Sequence, residues 1–133
     1  MAFGFTIDQV RDLGEHLEVL FTGTDVGAND LIPIDLNPKG GDVKKLRLDF
    51  LSMRQSAGDG TTLEPEVYEA AGLGADDLRF SLDSFDSSVA TTIGSLAAMN
   101  LPIFFPEGII YVRPQSDGAT TTVKGRVIVK RDW

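Results

Sequence analysis

His16 is the sole histidine in a chain of 133 residues, and cysteine is absent. A Ser-His-Asp triad would have to use this imidazole, because a hydroxyl nucleophile needs a neighbouring base to take its proton. Its neighbours are Glu15 and Glu18, and no G-x-S-x-G elbow occurs. The nearest approach, "IGSLA" around Ser95, has Gly94 one place too close and lacks the second glycine. A solvent-facing strand histidine is therefore the expectation for His16. One imidazole and no thiol also exclude the His/Cys sets that hold zinc. Asp and Glu number 20, so carboxylate pairs for acid–base work can be drawn anywhere and spacing singles out none. "TDVGAND" could set Asp25, Asn29 and Asp30 around a calcium ion, as hard oxygen ligands on a glycine loop, but it lacks EF-hand spacing. Asp and Asn in turns more often bond their own backbone. "GDG" at Gly58 to Gly60 and "SDG" at Ser116 to Gly118 read as turns, since no lysine follows a glycine run into a helix. The expectation is a protein with no catalytic residues, no cofactor and no metal.

Charge is unevenly spread. The formal net charge of −8 makes free nucleic acid and anionic membranes poor partners for the surface as a whole. Between Asp59 and Asp86 lie Asp59, Glu64, Glu66, Glu69, Asp76, Asp77, Asp83 and Asp86, against Arg79 alone. Arg113, Lys124, Arg126, Lys130 and Arg131 gather instead in the last stretch, which closes on Trp133, the one tryptophan. Such a separation can orient one copy against another, acidic middle to basic end. "MAFGFTIDQV" has neither a basic n-region nor an apolar h-region, so no secretory signal is expected. "LAAMNLPIFF" is too short, and too interrupted by Asn100 and Pro102, to span a bilayer.

The elements that would position these residues are mostly strands in one domain, 1–133. In "FTIDQV", Thr6 can cap a helix, Gln9 completes a capping box, and Phe5 and Val10 form a hydrophobic staple. Ile7, Val10 and Leu13 keep helical spacing and Gly14 is a good stop, which predicts a helix over 6–14. Leu17, Val19 and Phe21 then alternate, predicting a strand to about Thr22, with a longer helix through Leu17 and Leu20 as the alternative. Ile32, Ile34 and Leu36 alternate around Pro33, which marks an edge strand or a bulged one. Leu46, Leu48 and Phe50 share one face of the clearest strand, whose phase reverses at Leu51 and Met53, a sign of a bulge or of two covered faces. A short helix is expected from Pro65 to Ala71, a strand through Leu78, Phe80 and Leu82, and a helix through Val89, Ile93 and Leu96, capped by Ser87 and stopped at Asn100. The last stretch reads as a hairpin, Val123, Gly125, Val127 and Val129 facing inward and Lys124, Arg126, Ile128 and Lys130 outward. Together these give a mainly β fold, an antiparallel β-sandwich or barrel with two or three short helices.

A small, acidic, cysteine-free chain with Thr- and Gly-rich β-segments and a "LPIFFPEGIIYVRP" lead into its last strands resembles virion structural proteins of tailed bacterial viruses. These are the capsid decoration, minor capsid, head–tail and tail proteins. The resemblance covers the whole chain loosely and rests on no diagnostic motif, so it transfers no functional residue. It implies a virion location and a structural subunit that contacts itself and other structural proteins in a symmetric assembly, without catalysis. The expected interface is Arg113, Lys124, Arg126, Lys130, Arg131 and Trp133. Removing residues 130–133 is expected to spare the fold while weakening assembly. Two other readings stand behind this one: a carbohydrate- or receptor-binding β module, then a small enzyme without a recognisable motif. Outside a virion, the absent signal would place the chain in the cytoplasm.

Overall fold

The computed structural model describes residues 2–88, 93–97 and 102–132. The chain forms β1 (Gly4–Leu13), β2 (His16–Val26), β3 (Ile32–Asp35), β4 (Lys45–Ala57), β5 (Thr62–Leu63) and β6 (Glu66–Tyr68). After a 3-10 turn at Ala75–Asp77 come β7 (Leu78–Ser81), β8 (Phe85–Asp86), β9 (Gly94–Ala97), β10 (Ile103–Phe104), β11 (Ile109–Arg113) and β12 (Thr121–Asp132). The large sheet runs β1-β2-β12-β4-β10, with β9 also pairing with β4, and the small sheet runs β3-β11-β6-β7. β5 and β8 make a two-stranded ribbon, and among the described residues every strand pairing is antiparallel. Mainly β and antiparallel is what the alternating patterns predict, and the architecture is a two-layer sandwich rather than a closed barrel.

One apolar cluster lies between the layers. Leu17, Val19 and Phe21 of β2, Leu46, Leu48, Leu51 and Met53 of β4, and Val123, Val127 and Val129 of β12 meet Ile32, Ile34, Val67, Phe80, Ile110 and Val112 of the small sheet. Gly125 continues the inward row of β12, where a β-carbon would stand 2.2 Å from the Phe21 ring. The ring occupies the space that a side chain at 125 would need. Pro33 sits on β3, an edge strand as expected, because proline has no N–H to give a second neighbour.

The phase reversal in β4 is a bulge. Val129 pairs with Leu48 but Ile128 pairs with Phe50, leaving Asp49 as the extra residue. Leu48 and Leu51 therefore both face the core, while Phe50, expected to share the face of Leu46 and Leu48, turns half-buried to the outside. The same device explains the first correction. The segment expected as a helix over 6–14 is β1, and its register against β2 jumps between Ile7 and Gln9. Ile7 and Val10 thus share a face across the extra residue Asp8, and a bulged strand imitates i, i+3 helical spacing. Thr6, expected as a helix cap, donates its hydroxyl to Asp8 at 2.8 Å. Gly14, at φ 81°, serves the tight turn into β2 rather than a helix stop.

Two further helices are replaced by strands. Pro65 to Ala71 contains β6, pinned between β11 and β7. Of the Ser87–Asn100 segment, residues 94–97 form β9 against β4; Val89 and Asn100 lie outside the described residues. In both, pairing to distant strands outweighs a weak local helical preference. Among the described residues the 3-10 turn is the one helical element. The last stretch does form two strands, but they do not pair: β11 belongs to the small sheet and β12 to the large one. Residues 114–120 between them are too long for a tight hairpin turn and cross from layer to layer.

Leu48 and Phe50 thus offer a contrast on one strand. Leu48→Asp buries an unpartnered carboxylate and should abolish soluble expression. Phe50→Ser should remain folded, within about 1–2 kcal/mol of the parent in urea melts. Equal effects of the two substitutions would refute the bulge at Asp49.

Candidate functional site

β12 runs through the middle of the large sheet, so its outward residues define rows across that sheet. Lys124 lies between Thr22 and Arg54, Arg126 between Leu20 and Ser52, Ile128 between Glu18 and Phe50, and Lys130 between His16 and Arg47. Arg11 of β1 stands opposite Glu18, and Lys45 stands at the start of β4. Arg11, Lys45, Arg47, Arg54, Lys124, Arg126 and Lys130 put seven of the chain's twelve basic residues on one face of a protein with net charge −8. Their acidic neighbours there include Asp8, Glu18 and Asp49, and Asp132 pairs in register with Lys45. Glu18 is shared at 3.7 Å by Arg11 and Arg126, and Asp49 reaches His16 at 3.5 Å. Among the described residues Arg47, Arg54, Lys45 and Lys130 form no ion pair. Between these cations lies an open hollow of about 440 Å³, floored by Leu20, Phe50 and Ile93 and edged by Arg54, Lys124 and Arg126.

The expected interface residues are thereby divided. Lys124, Arg126 and Lys130 do lie together on the outer face of the large sheet. Arg113 lies on β11, where Nη1 donates to Glu66 at 2.8 Å and to the Tyr68 hydroxyl at 3.2 Å. Its Nε and Nη2 donate to the Ala28 carbonyl at 2.7 Å and to Asn29 Oδ1 at 2.9 Å. It ties the β2–β3 loop to the small sheet. Arg131 points the other way from Lys130, into the end of the sandwich, 5% exposed. Its guanidinium donates to Asp12 and to the carbonyls of Gly14 and Leu36, and its backbone N–H donates to the Glu15 carbonyl at 2.6 Å. It joins the β1–β2 turn to the small sheet, so removal of residues 130–133 would damage the fold, contrary to the expectation that folding survives it. Trp133 lies outside the described residues.

Sequence reasoning missed Arg47 and Arg54, whose signal was present: they alternate with the buried Leu46, Leu48 and Met53. Two of the three candidate calcium ligands, Asn29 and Asp30, are engaged internally. Asn29 accepts from Arg113, and Asp30 Oδ2 accepts the Gly27 N–H at 2.8 Å. Among the described residues no group of three His, Cys, Asp or Glu side chains could hold a metal ion. His16 is half-exposed, and among the described residues no hydroxyl bonds to it.

The carboxylates with lowered pKa are braces. Asp117 accepts the hydroxyl and N–H of Thr61 and the N–H of Thr62, and these donors lower its pKa from 3.8 to about 2. Asp59 reciprocates, taking the N–H groups of Thr120 and Ala119, which hold it low as well. Asp12 is lowered first by Arg131 and then by the Gly14 N–H. Asp8 is lowered by the hydroxyls of Thr22 and Thr6, with a smaller pull from Lys124.

Two outcomes follow from these braces. The carboxylates ionise more readily folded than unfolded, so their contribution is complete above the unfolded pKa of about 3.9. It is lost as pH falls through the folded value near 2 for Asp117. Urea midpoints should be flat from about pH 7 to 5 and fall below about pH 4, with a shallower acid fall in Asp117→Asn; an unchanged acid slope would show that this brace is not formed. Arg131→Ala, which strips a donor from Asp12 and two carbonyls, should lower the melting temperature by at least about 5 °C, where Lys130→Ala changes it little. Equal melting temperatures would place Arg131 outside the core.

No family model matches the chain, and no curated protein or solved structure matches it.

Proposed function

We propose that the chain is a structural subunit that works through protein–protein contact, in the setting its sequence resembles: a decoration, minor capsid or head–tail position in a virus particle. The observation that carries the reading is the outer face of the large sheet. An anionic chain has placed seven of its twelve cations on one face, three of them at the edge of an open hollow, with no ion pair at Arg47 or Arg54 among the described residues. Long-range attraction between such a face and an acidic surface steers encounter and sets orientation, while the apolar floor supplies contact area once water is expelled. Strands held on both sides present these side chains in fixed positions, which limits the ordering cost of association. A carbohydrate module would need a platform of exposed aromatic rings with polar groups beside it; Tyr68 is buried, Tyr111 donates to Glu107 at 2.9 Å, and the exposed Phe5 and Phe104 stand on β1 and β10, separate strands of the large sheet. No catalytic role is proposed for any residue.

Native mass spectrometry and sedimentation velocity across about 1–100 μM chain test the reading, a range that spans association of about 5.5–8 kcal/mol. Discrete oligomers are expected, weakening as salt rises from about 0.05 to 0.5 M because exposed charges are screened. A monomer throughout that range, which also fails to co-sediment with particles of the virus that encodes it, would contradict the proposal.

A further inference from the structure

We propose that the hollow edged by Arg54, Lys124 and Arg126 receives the 70–77 loop of a second copy of this chain. The inference rests on the assembly reading above and names its partner. A hollow with an apolar floor and a cationic rim calls for a convex segment with an apolar tip and adjacent carboxylates. The loop between β6 and β7 carries both kinds of group, Leu73 and the pair Asp76 and Asp77. Leu73, partly exposed between two exposed glycines, is held at φ 56°, a left-handed conformation that costs energy for a non-glycine residue. Asp76 and Asp77 lie beyond Gly74 and Ala75, on the 3-10 turn.

The loop is also held ready. Its two ends are joined by the Glu69 N–H, which donates to the Asp77 carbonyl at 2.9 Å. Arg79 donates to Glu69 at 3.0 Å and to the Asp76 carbonyl at 3.1 Å. Little freedom remains to be lost on docking. Elsewhere in the acidic middle, Glu66 and Glu69 are occupied by Arg113 and Arg79, Asp59 by backbone N–H groups and Asp86 by Ser88, while Glu64 and Asp83 stand singly rather than as an adjacent pair. Among the described residues the carboxylates of Asp76 and Asp77 form no ion pair, and their negative charge complements the positive rim. The hollow faces away from the small sheet that carries the loop, so the contact joins two copies head to tail. Such a heterologous contact closes into a ring or continues as a filament.

A charge exchange tests this. Asp76→Lys/Asp77→Lys and Arg54→Glu/Lys124→Glu alter surface side chains, and circular dichroism and melting should show both variants folded. Each alone should self-associate at least about tenfold more weakly than the parent by sedimentation velocity, a change of about 1.4 kcal/mol. An equimolar mixture should recover association, because each variant's loop then meets a hollow of opposite charge. Leu73→Gly supplies an independent reading: it relieves the left-handed residue, so melting should stay level or rise, while association falls. If the parent associates and these variants associate equally well, or the mixture shows no recovery, the loop is not the occupant, and the assembly reading survives with another interface. If the parent is monomeric at all concentrations, the contact between copies is overturned as well.

Discussion

β12 is the constraint on which the rest depends. It lies between β2 and β4 for nearly its whole length, and its two-residue alternation divides the molecule. Val123, Val127 and Val129 close the core against the small sheet, and Lys124, Arg126 and Lys130 stand on the opposite side. A one-residue slip would bury three cations and expose three valines, so the register that stabilises the fold also fixes the charged face. Core and candidate interface are two sides of one strand, which couples any change in pairing to both.

Polar pins hold the ends where valines cannot. Arg131 gathers Asp12 with the carbonyls of Gly14 and Leu36 at one end, and Arg113 gathers Glu66, Tyr68, Ala28 and Asn29 on the small sheet. Asp59 and Asp117 clasp each other's loops through backbone N–H groups. Each pin supplies donors or acceptors to irregular backbone that no strand partner satisfies. This explains why charged residues that look alike in sequence divide into structural braces and surface cations: what decides is whether the strand's alternation turns them toward a chain crossing or toward water.

Where alternation ran unbroken, the fold was legible. Leu46 and Leu48, Val123 to Val129, Ile32 to Leu36 and Phe80 with Leu82 all face the core as their spacing predicts. Reading failed at the bulges. One extra residue turns period two into a local i, i+3 step, so Ile7 and Val10 across Asp8 look helical, and Phe50 after Asp49 appears to belong to the wrong face. β1 gave little counter-signal, because Phe5, Ile7 and Val10 remain about 40% exposed and no strong burial pattern marks it. For the candidate site, the outward row of β12 was legible and its partners Arg47 and Arg54 were readable by the same rule. Arg131 was misplaced because its charge was weighed above its parity with Val127 and Val129. The separation of β11 from β12 into different sheets was not encoded locally at all, since strand partners lie far apart in sequence.

Lysine footprinting tests the central claim, that the outer face of the large sheet is covered on assembly. Lys124 and Lys130 lie on that face, while Lys39 lies in the exposed turn after β3 and serves as the internal control. Acetylation rates should be measured by mass spectrometry on dilute and on associated protein at one pH and salt concentration. The account predicts that Lys124 loses reactivity on association by about tenfold, with a smaller loss at Lys130 and none at Lys39, as expected when contact excludes water from one face. Unchanged reactivity of Lys124 in protein shown to be associated would contradict it.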